Sequence, residues 1–487
     1  MSFNCLTRSA SGALLALALL LPAANIAFAA GDADSTDAPR APQRLVLAVD
    51  GVPHDLFAKM QARGLFAGFR PVARMVSTFP SLSDVSFSAI GGNPRPQGYQ
   101  VMRFDAATNQ VVGNTLMSLS GKAHSNLPAD SADHSSVHRM IGYLASYHMS
   151  LHDLRQIRRQ LLASDKTTFL AYLEGSDAVL HVEGERGATR LLVQLDRYLA
   201  QLQAEVRART GRELLIDLVS DHGSTLRKGR NVDLGAQLRS CGLQRSPRID
   251  RPDQVAYSLA GIIGSVAINA QPAAVATVAH CLAGTDGVEL TLFDRGDRIT
   301  VLSADGGEAD VSPAPGSTEK SYVYAVRRGD PLRLLHGQVT PVTRTFAEAA
   351  LFQATLDAHF PDPLQRIWRA FHGAVQEPTP ILLSLADGRE AGFRSVRALA
   401  QLRGRAGTHG SLTRSASLGI LTSNWRDVSD VDSWQAHESL FGAQTLTAMQ
   451  QRTLRWQRLG QADSARIQGS GVGNLHPHGR VVARPVP

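Results

Sequence analysis

At 487 residues, 43% of them apolar and 19% charged, the chain reads as a globular protein, with too many apolar residues for disorder. Its formal charge of +7 is spread along the chain, which favours solubility and weak attraction to anions and gives no ground for specific nucleic-acid binding. Three cysteines are too few for a disulfide scaffold or a thiolate zinc site.

The first element is an export signal over residues 1–29: Arg8, an apolar run from Ala13 to Pro22, then Ala27-Phe28-Ala29 as a small-residue cleavage site. That run falls short of the ~20 apolar residues a bilayer span needs, and no later stretch reaches that length. The expectation is a periplasmic or secreted protein with no membrane span. With Cys5 in the leader, Cys241 and Cys281 remain, and in an oxidising compartment they are expected to pair. Residues 30–42 read as a polar, Pro-containing linker.

Arg44 to Val49 is a continuous apolar strand ending in Asp50-Gly51. Thr168 to Leu173 is a second such run, and Leu214 to Val219 a third, followed by Ser220-Asp221-His222-Gly223. Between the last two, Leu191, Leu192, Leu195, Leu199, Leu202 and Val206 recur at helical spacing within 188–209. Strands alternating with helices predict an α/β fold, a mostly parallel sheet flanked by helices on both faces. Past about residue 230 the texture changes. Val288 to Phe293 and Arg298 to Leu302 alternate around Asp294–Asp297, a β-hairpin inside an α+β elaboration expected at 236–345. Helices are expected at 346–358 and 364–373. One catalytic domain over 43–460 would hold all of this, with 461–487 as a loosely held tail.

Open α/β sheets bind ligands beyond the carboxyl ends of their strands. Asp50 follows the first strand here, Asp177 and His181 follow the second, and Asp221 and His222 follow the third. Carboxylate oxygen with neutral imidazole suits zinc or another divalent first-row ion. Singly, an Asp after a strand is most often a turn or cap residue. Three such sets at successive strand ends point to a metal site. Residues 74–92 add Thr78, Ser81, Ser83, Ser86 and Ser88 ahead of a helical segment. A hydroxyl there can attack an anionic phosphorus, although most hydroxyls so placed are helix caps.

This ordered set resembles the alkaline phosphatase superfamily, and within it the type I phosphodiesterase/nucleotide pyrophosphatase branch, over residues 44 to about 425. Asp50-Gly51 is similar to the family's first metal aspartate. Phe79-Pro-Ser-Leu-Ser83, with Gly91-Gly92 and Pro96-Gln-Gly98, is similar to its nucleophile segment. Tyr172 to Gly184 resembles its Y-x-E…D-x-x-x-H…G stretch, Ser220-Asp-His-Gly223 its S-D-H-G, and His409 before Gly410 its late histidine. The resemblance implies two divalent metal ions, expected to be Zn2+. Asp177, His181 and His409 would hold one, and Asp50, Asp221 and His222 the other, with the Ser83 oxygen between them. It further implies hydrolysis of a small-molecule phosphoric ester, with phosphodiesters or nucleotide pyrophosphates favoured, through a covalent phosphoseryl intermediate. The alternatives are a phosphomonoesterase or phosphonate hydrolase using the same site, and an inactive relative that binds a phosphorylated ligand.

Some positions depart from the family pattern. Ser83-Asp-Val-Ser-Phe replaces its T-F-P-N-H core, which makes Thr78 a competing nucleophile. The asparagine that holds a phosphate oxygen in diesterases has no counterpart before Asn109 or Asn114, and Arg103 is the substitute phosphate-binding group. His336, His437 and His478 compete with His409.

Overall fold

A computed structural model describes residues 41–113, 129–131, 145–259, 262–316, 319–335, 337, 341–392 and 407–452. The expected leader, the tail and most of the linker lie outside the described residues, as do Asn114, His336 and His478.

A six-stranded sheet runs in the order Val431–Asp432, Ala73–Val76, Leu418–Ser423, Leu214–Val219, Gln43–Val49, Thr168–Leu173. Its pairs are parallel except where Leu418–Ser423 runs against both neighbours. Helices cover both faces, because alternate residues of each strand point opposite ways. Leu45, Leu47 and Val49 meet the helices His54–Ala62, Ser146–Leu162 and Gly175–Thr210 on one side. Val46 and Ala48 meet Ser83–Gly91 and Ser433–Phe441 on the other. Each leucine fully buried in this way contributes about 2 kcal/mol. The helical stretch Gly175–Thr210 contains the expected 188–209 and begins earlier, with a break at Gly184, where φ is 59°.

A second sheet of nine strands, from Gln244–Arg245 to Val342–Ala347, is antiparallel throughout except at its Gln244–Arg245 edge. It contains the expected hairpin as Val288–Asp294 paired with Ile299–Ser303. The elaboration nevertheless does not stop at residue 345. Ile381–Leu385, a short apolar run buried along its whole length, forms a strand between Ser265–Ala270 and Val288–Asp294. The helices Glu348–Thr355 and Pro363–His372 pack on one face of this sheet, and Leu234–Ser240 and Val275–Ala283 on the other. Cys241 and Cys281 are joined by a disulfide that ties the last two helices together.

Candidate metal centre

Leu214–Val219, Gln43–Val49 and Thr168–Leu173 are adjacent and parallel, so they all end at one edge of the sheet. The residues that follow them therefore converge. Asp50 comes off the central strand, Asp221 and His222 off one neighbour, and Asp177 and His181 lie in the helix that follows the other. Four residues apart on a helix, Asp177 and His181 face the same way, and His181 Nε2 is 3.2 Å from Asp177 Oδ2. His409 reaches the cluster in the loop ahead of the antiparallel strand Leu418–Ser423. Its ring stacks on His222 with centroids 3.8 Å apart and planes 9° from parallel.

Ser83 opens the helix Ser83–Gly91, after an extended Leu82 that offers no side-chain cap. Its Oγ lies 3.3 Å from Asp50 Oδ1 and 3.2 Å from His222 Nε2. Thr78 is different. It is wholly buried, its hydroxyl donates to Pro80 O at 3.0 Å, and it lies 2.9 Å from Ser86 Oγ. Of the two hydroxyls, Ser83 is the one that meets the acids and imidazoles.

The three histidines are held in one manner. Nδ1 lies 2.9 Å from Gly407 O in His181, 2.8 Å from Gly223 O in His222 and 2.8 Å from Ser81 O in His409. A carbonyl only accepts, so Nδ1 carries the proton and Nε2 turns its lone pair toward the carboxylates. Outer hydrogen bonds of this kind orient metal-ligating imidazoles.

The carboxylates have oxygens to spare. Asp177 Oδ1 and Asp221 Oδ2 are buried with no hydrogen-bond partner, a state that costs several kcal/mol unless a cation compensates. Ligand atoms of Asp177, His181 and His409 lie within 4.8 Å of one another, and so do those of Asp50, Asp177 and His222. Asp177 therefore stands in both groups, whereas the resemblance assigned it to one. Asp221 flanks the second group: Oδ1 accepts the Gly51 N–H at 3.2 Å and Oδ2 lies 3.3 Å from His222 Nε2. This donor set fits zinc or a similar divalent ion. Gly51 has no alternative at its position, since its φ is 72° and a Cβ would stand 2.8 Å from Asp177 Oδ1.

The crowding appears in the proton affinities. Burial, reinforced by Asp221 and Asp177, holds the Asp50 carboxyl well above its ordinary range. Burial pushes Asp221 up to about 6. Burial acts on Asp177 in the same direction, but His181 and His409 outweigh it and hold that carboxyl below the usual range. Burial lowers His222, and burial together with His222 and His181 takes His409 down to about 3. Burial acts to lower His181 as well, but the Asp177 carboxylate outweighs it and holds that imidazole above its ordinary value. The cluster therefore resists protonation of His222 and His409 and ionisation of Asp50 and Asp221, and divalent cations relieve both.

Two contributors carried no sequence-based role. The Tyr172 hydroxyl donates to Asp50 Oδ2, fixing the carboxylate from inside the sheet. Tyr172 was visible only as a letter in the family stretch. Arg366 is fully buried and bonds the backbone on either side of the site; its signal was a lone arginine on the apolar face of Pro363–His372. Arg103 takes another place. Its Nε donates to Glu377 Oε2 at 3.1 Å beside Tyr99 and Ser258, and no contact among the described residues joins it to Asp50, Ser83 or the histidines. Asn109 bonds Ile249 and Asp250, and His437 packs on Gly92, with Nδ1 3.1 Å from Ile90 O.

Fold and donor set together define a class: an α/β chain whose acids and histidines meet at the carboxyl edge of a parallel sheet. No protein-family model matches the sequence, and no curated protein matches it either. Among solved structures, the chain is similar to human ectonucleotide pyrophosphatase/phosphodiesterase 5, with a TM-score of 0.47 and 12% identity over 82% of this chain and 93% of that one. It is also similar to the murine ectonucleotide pyrophosphatase/phosphodiesterase 5, with a TM-score of 0.43 and 12% identity over 82% of this chain and 94% of that one.

Proposed function

We propose that the chain is an exported dimetal hydrolase of small phosphoric esters, with Ser83 as nucleophile and phosphodiesters or nucleotide pyrophosphates as the substrate class. The observation that carries this reading is the common orientation of the three imidazoles. Each turns Nε2 toward buried carboxylates, and one half-buried hydroxyl stands at their edge. Asp177, His181 and His409 would hold one ion, and Asp50, Asp221 and His222 the other, with Asp177 within reach of both groups. The ions, Zn2+ by donor type, would supply Lewis-acid stabilisation of charge on the attacking and leaving oxygens. Ser83 Oγ bonds to phosphorus as the ester oxygen departs, its proton passing to solvent. Water then cleaves the phosphoseryl bond and restores the hydroxyl. The uncapped N-terminus of Ser83–Gly91 presents backbone N–H groups and a positive dipole end to the phosphoryl oxygens.

The same geometry disfavours a serine–histidine–aspartate relay, because the His222 Nδ1 proton goes to the Gly223 carbonyl and not to a carboxylate. Export suits a chain in which Cys241 and Cys281 are disulfide-bonded. The test is a panel of bis-p-nitrophenyl phosphate, p-nitrophenyl phosphate and p-nitrophenyl thymidine monophosphate with Zn2+, before and after chelation. Turnover of the diesters that is lost on chelation and restored by metal is expected. Preference for the monoester would move the substrate class, and absence of metal-dependent turnover of all three would refute the enzyme.

A further inference from the structure

Ser83 and His409 belong to segments far apart in the chain, and neither is held by the sheet strands that carry the other ligands. Ser83 follows the loop 77–82 and His409 lies in the loop 407–413. A single buried side chain bonds the backbone of both loops. Arg366 Nη2 donates to Thr78 O at 3.1 Å, Ser81 Oγ at 3.2 Å and Ser417 Oγ at 2.7 Å, while Nη1 donates to Pro361 O at 2.8 Å and Leu412 O at 3.3 Å. Ser81, one of these acceptors, also offers the carbonyl that orients His409 Nδ1, at 2.8 Å. Its single hydroxyl proton lies between two carbonyls, Thr78 O at 3.1 Å and Ser411 O at 3.0 Å. The guanidinium thus joins the segment leading to Ser83, the segment following His409 and the acceptor of the His409 proton.

We propose that Arg366 is a positioning residue, fixing the Ser83 hydroxyl and the His409 imidazole in register with each other and with the second sheet. The four Nη hydrogens of a planar guanidinium reach these five acceptors with one hydrogen shared, while Nε is left without a partner; the three hydrogens of a lysine ammonium on a flexible stem cannot reproduce that set. The helix that carries Arg366 is itself anchored: Leu364, Ile367, Ala370 and Phe371 sit in one apolar cluster with Leu292, Val301 and Tyr324 of the nine-stranded sheet. Phe79, Leu82 and Val85, which flank Ser83, and Leu412, close to His409, enter the same cluster. The second sheet is by this route the foundation for two site loops. Burial lowers the Arg366 guanidinium to about 9, and Asp362, one helical turn back, acts against that effect while burial holds its own carboxyl well above the ordinary range.

The proposal rests on Ser83 and His409 being site residues, so its test reads position as well as activity. Arg366→Lys keeps the charge and loses the fork; Ser417→Ala removes one acceptor and leaves the helix untouched. Amide hydrogen exchange is measured in both variants and in the native chain, peptide by peptide. Exchange is expected to accelerate about tenfold or more across 78–83 and 409–417, with 288–303 changed less than about twofold. In zinc titrations against a chromophoric chelator, one of two equivalents is expected to weaken about tenfold while the other holds. With an ester substrate, kcat should fall about 10–100-fold with KM nearly constant, and Ser417→Ala should show the smaller change. Equal acceleration in all peptides, the second sheet included, would make Arg366 a core stabiliser and overturn the proposal. Unchanged exchange in 78–83 and 409–417 would overturn it as well. If the native chain neither binds zinc nor turns over esters, the hydrolase reading fails, and the exchange measurement still decides the role of Arg366.

Discussion

The two sheets are alike in their interiors and opposite at their ends. Both carry apolar clusters on both faces, and helices pack on each of them. In the six-stranded sheet, three neighbouring parallel strands send their carboxyl ends to one edge, where three acids and three histidines collect. In the nine-stranded sheet, successive hairpins such as Val288–Asp294 with Ile299–Ser303 send consecutive ends to opposite edges. The polar residues of Asp294-Arg-Gly-Asp297 therefore stay a surface turn. Parallel connection concentrates chemistry and antiparallel connection disperses it, independently of how apolar the strands are. The second sheet instead contributes rigidity, through its core and through the Cys241–Cys281 disulfide.

This contrast can be broken most sharply at Ser83. Ser83→Ala should lower turnover on the order of 10^4-fold with metal content retained, while Thr78→Ala, which alters only an internal bond, should stay active. Steady-state kinetics beside metal analysis decides between them. A large loss in the Thr78 variant alone would reassign the nucleophile. Next in size is a change confined to the second region. Cys241→Ser with Cys281→Ser opens a loop of 40 residues and should reduce stability by about 4 kcal/mol in denaturant unfolding. The kcat of the folded double variant should remain within about twofold of the native value, because the disulfide ties helices on the face of the second sheet opposite the Arg366 helix and the site loops.

Smaller effects sharpen the site itself. Tyr172→Phe removes the hydroxyl that donates to Asp50 and should weaken metal binding about 10–100-fold, read by competitive chelation. Asp221 gives a pH signature. Its folded-state value of about 6 lies above the ordinary carboxyl value near 3.8. The stability it contributes is thus intact below the ordinary value and lost as pH rises through about 6. In metal-free protein, Asp221→Asn should be more stable than the native chain at pH 7 by roughly 1–3 kcal/mol, and the gap should close toward pH 4. Thermal unfolding in chelator at the two pH values measures it, and a constant gap would contradict the assignment.

Much of the site was legible because Asp50, Asp221 and His222 come just after short apolar runs and Asp177 and His181 come in the helix after a third, and parallel strands translate that local pattern into proximity. Asp50, Asp177, His181, Asp221 and His222 were all found by that rule, and the hairpin at 288–303 by its alternation around a Gly-containing turn. What local pattern could not carry was anything decided across long separations. Whether Ser83 or Thr78 faces the acids depends on how the loop 77–82 packs against 407–417. The position of Asp177 between both ligand groups depends on the spacing of the strand ends. Ile381–Leu385 was missed because its partners, Ser265–Ala270 and Val288–Asp294, lie far back in the chain. Arg366 reaches Thr78 across 288 residues, and only its odd polarity on an apolar helix face hinted at a task.

The convergent acids and imidazoles offer two ligand groups that share Asp177, and together they would form a two-metal site. Titration of chelator-stripped protein with Zn2+, followed by metal analysis of the desalted chain, tests it most directly. The expected result is two tightly held ions per native chain, and loss of both on Asp177→Asn in a protein that remains folded. Fewer than one ion per native chain, or two ions still held by the Asp177 variant, would contradict it.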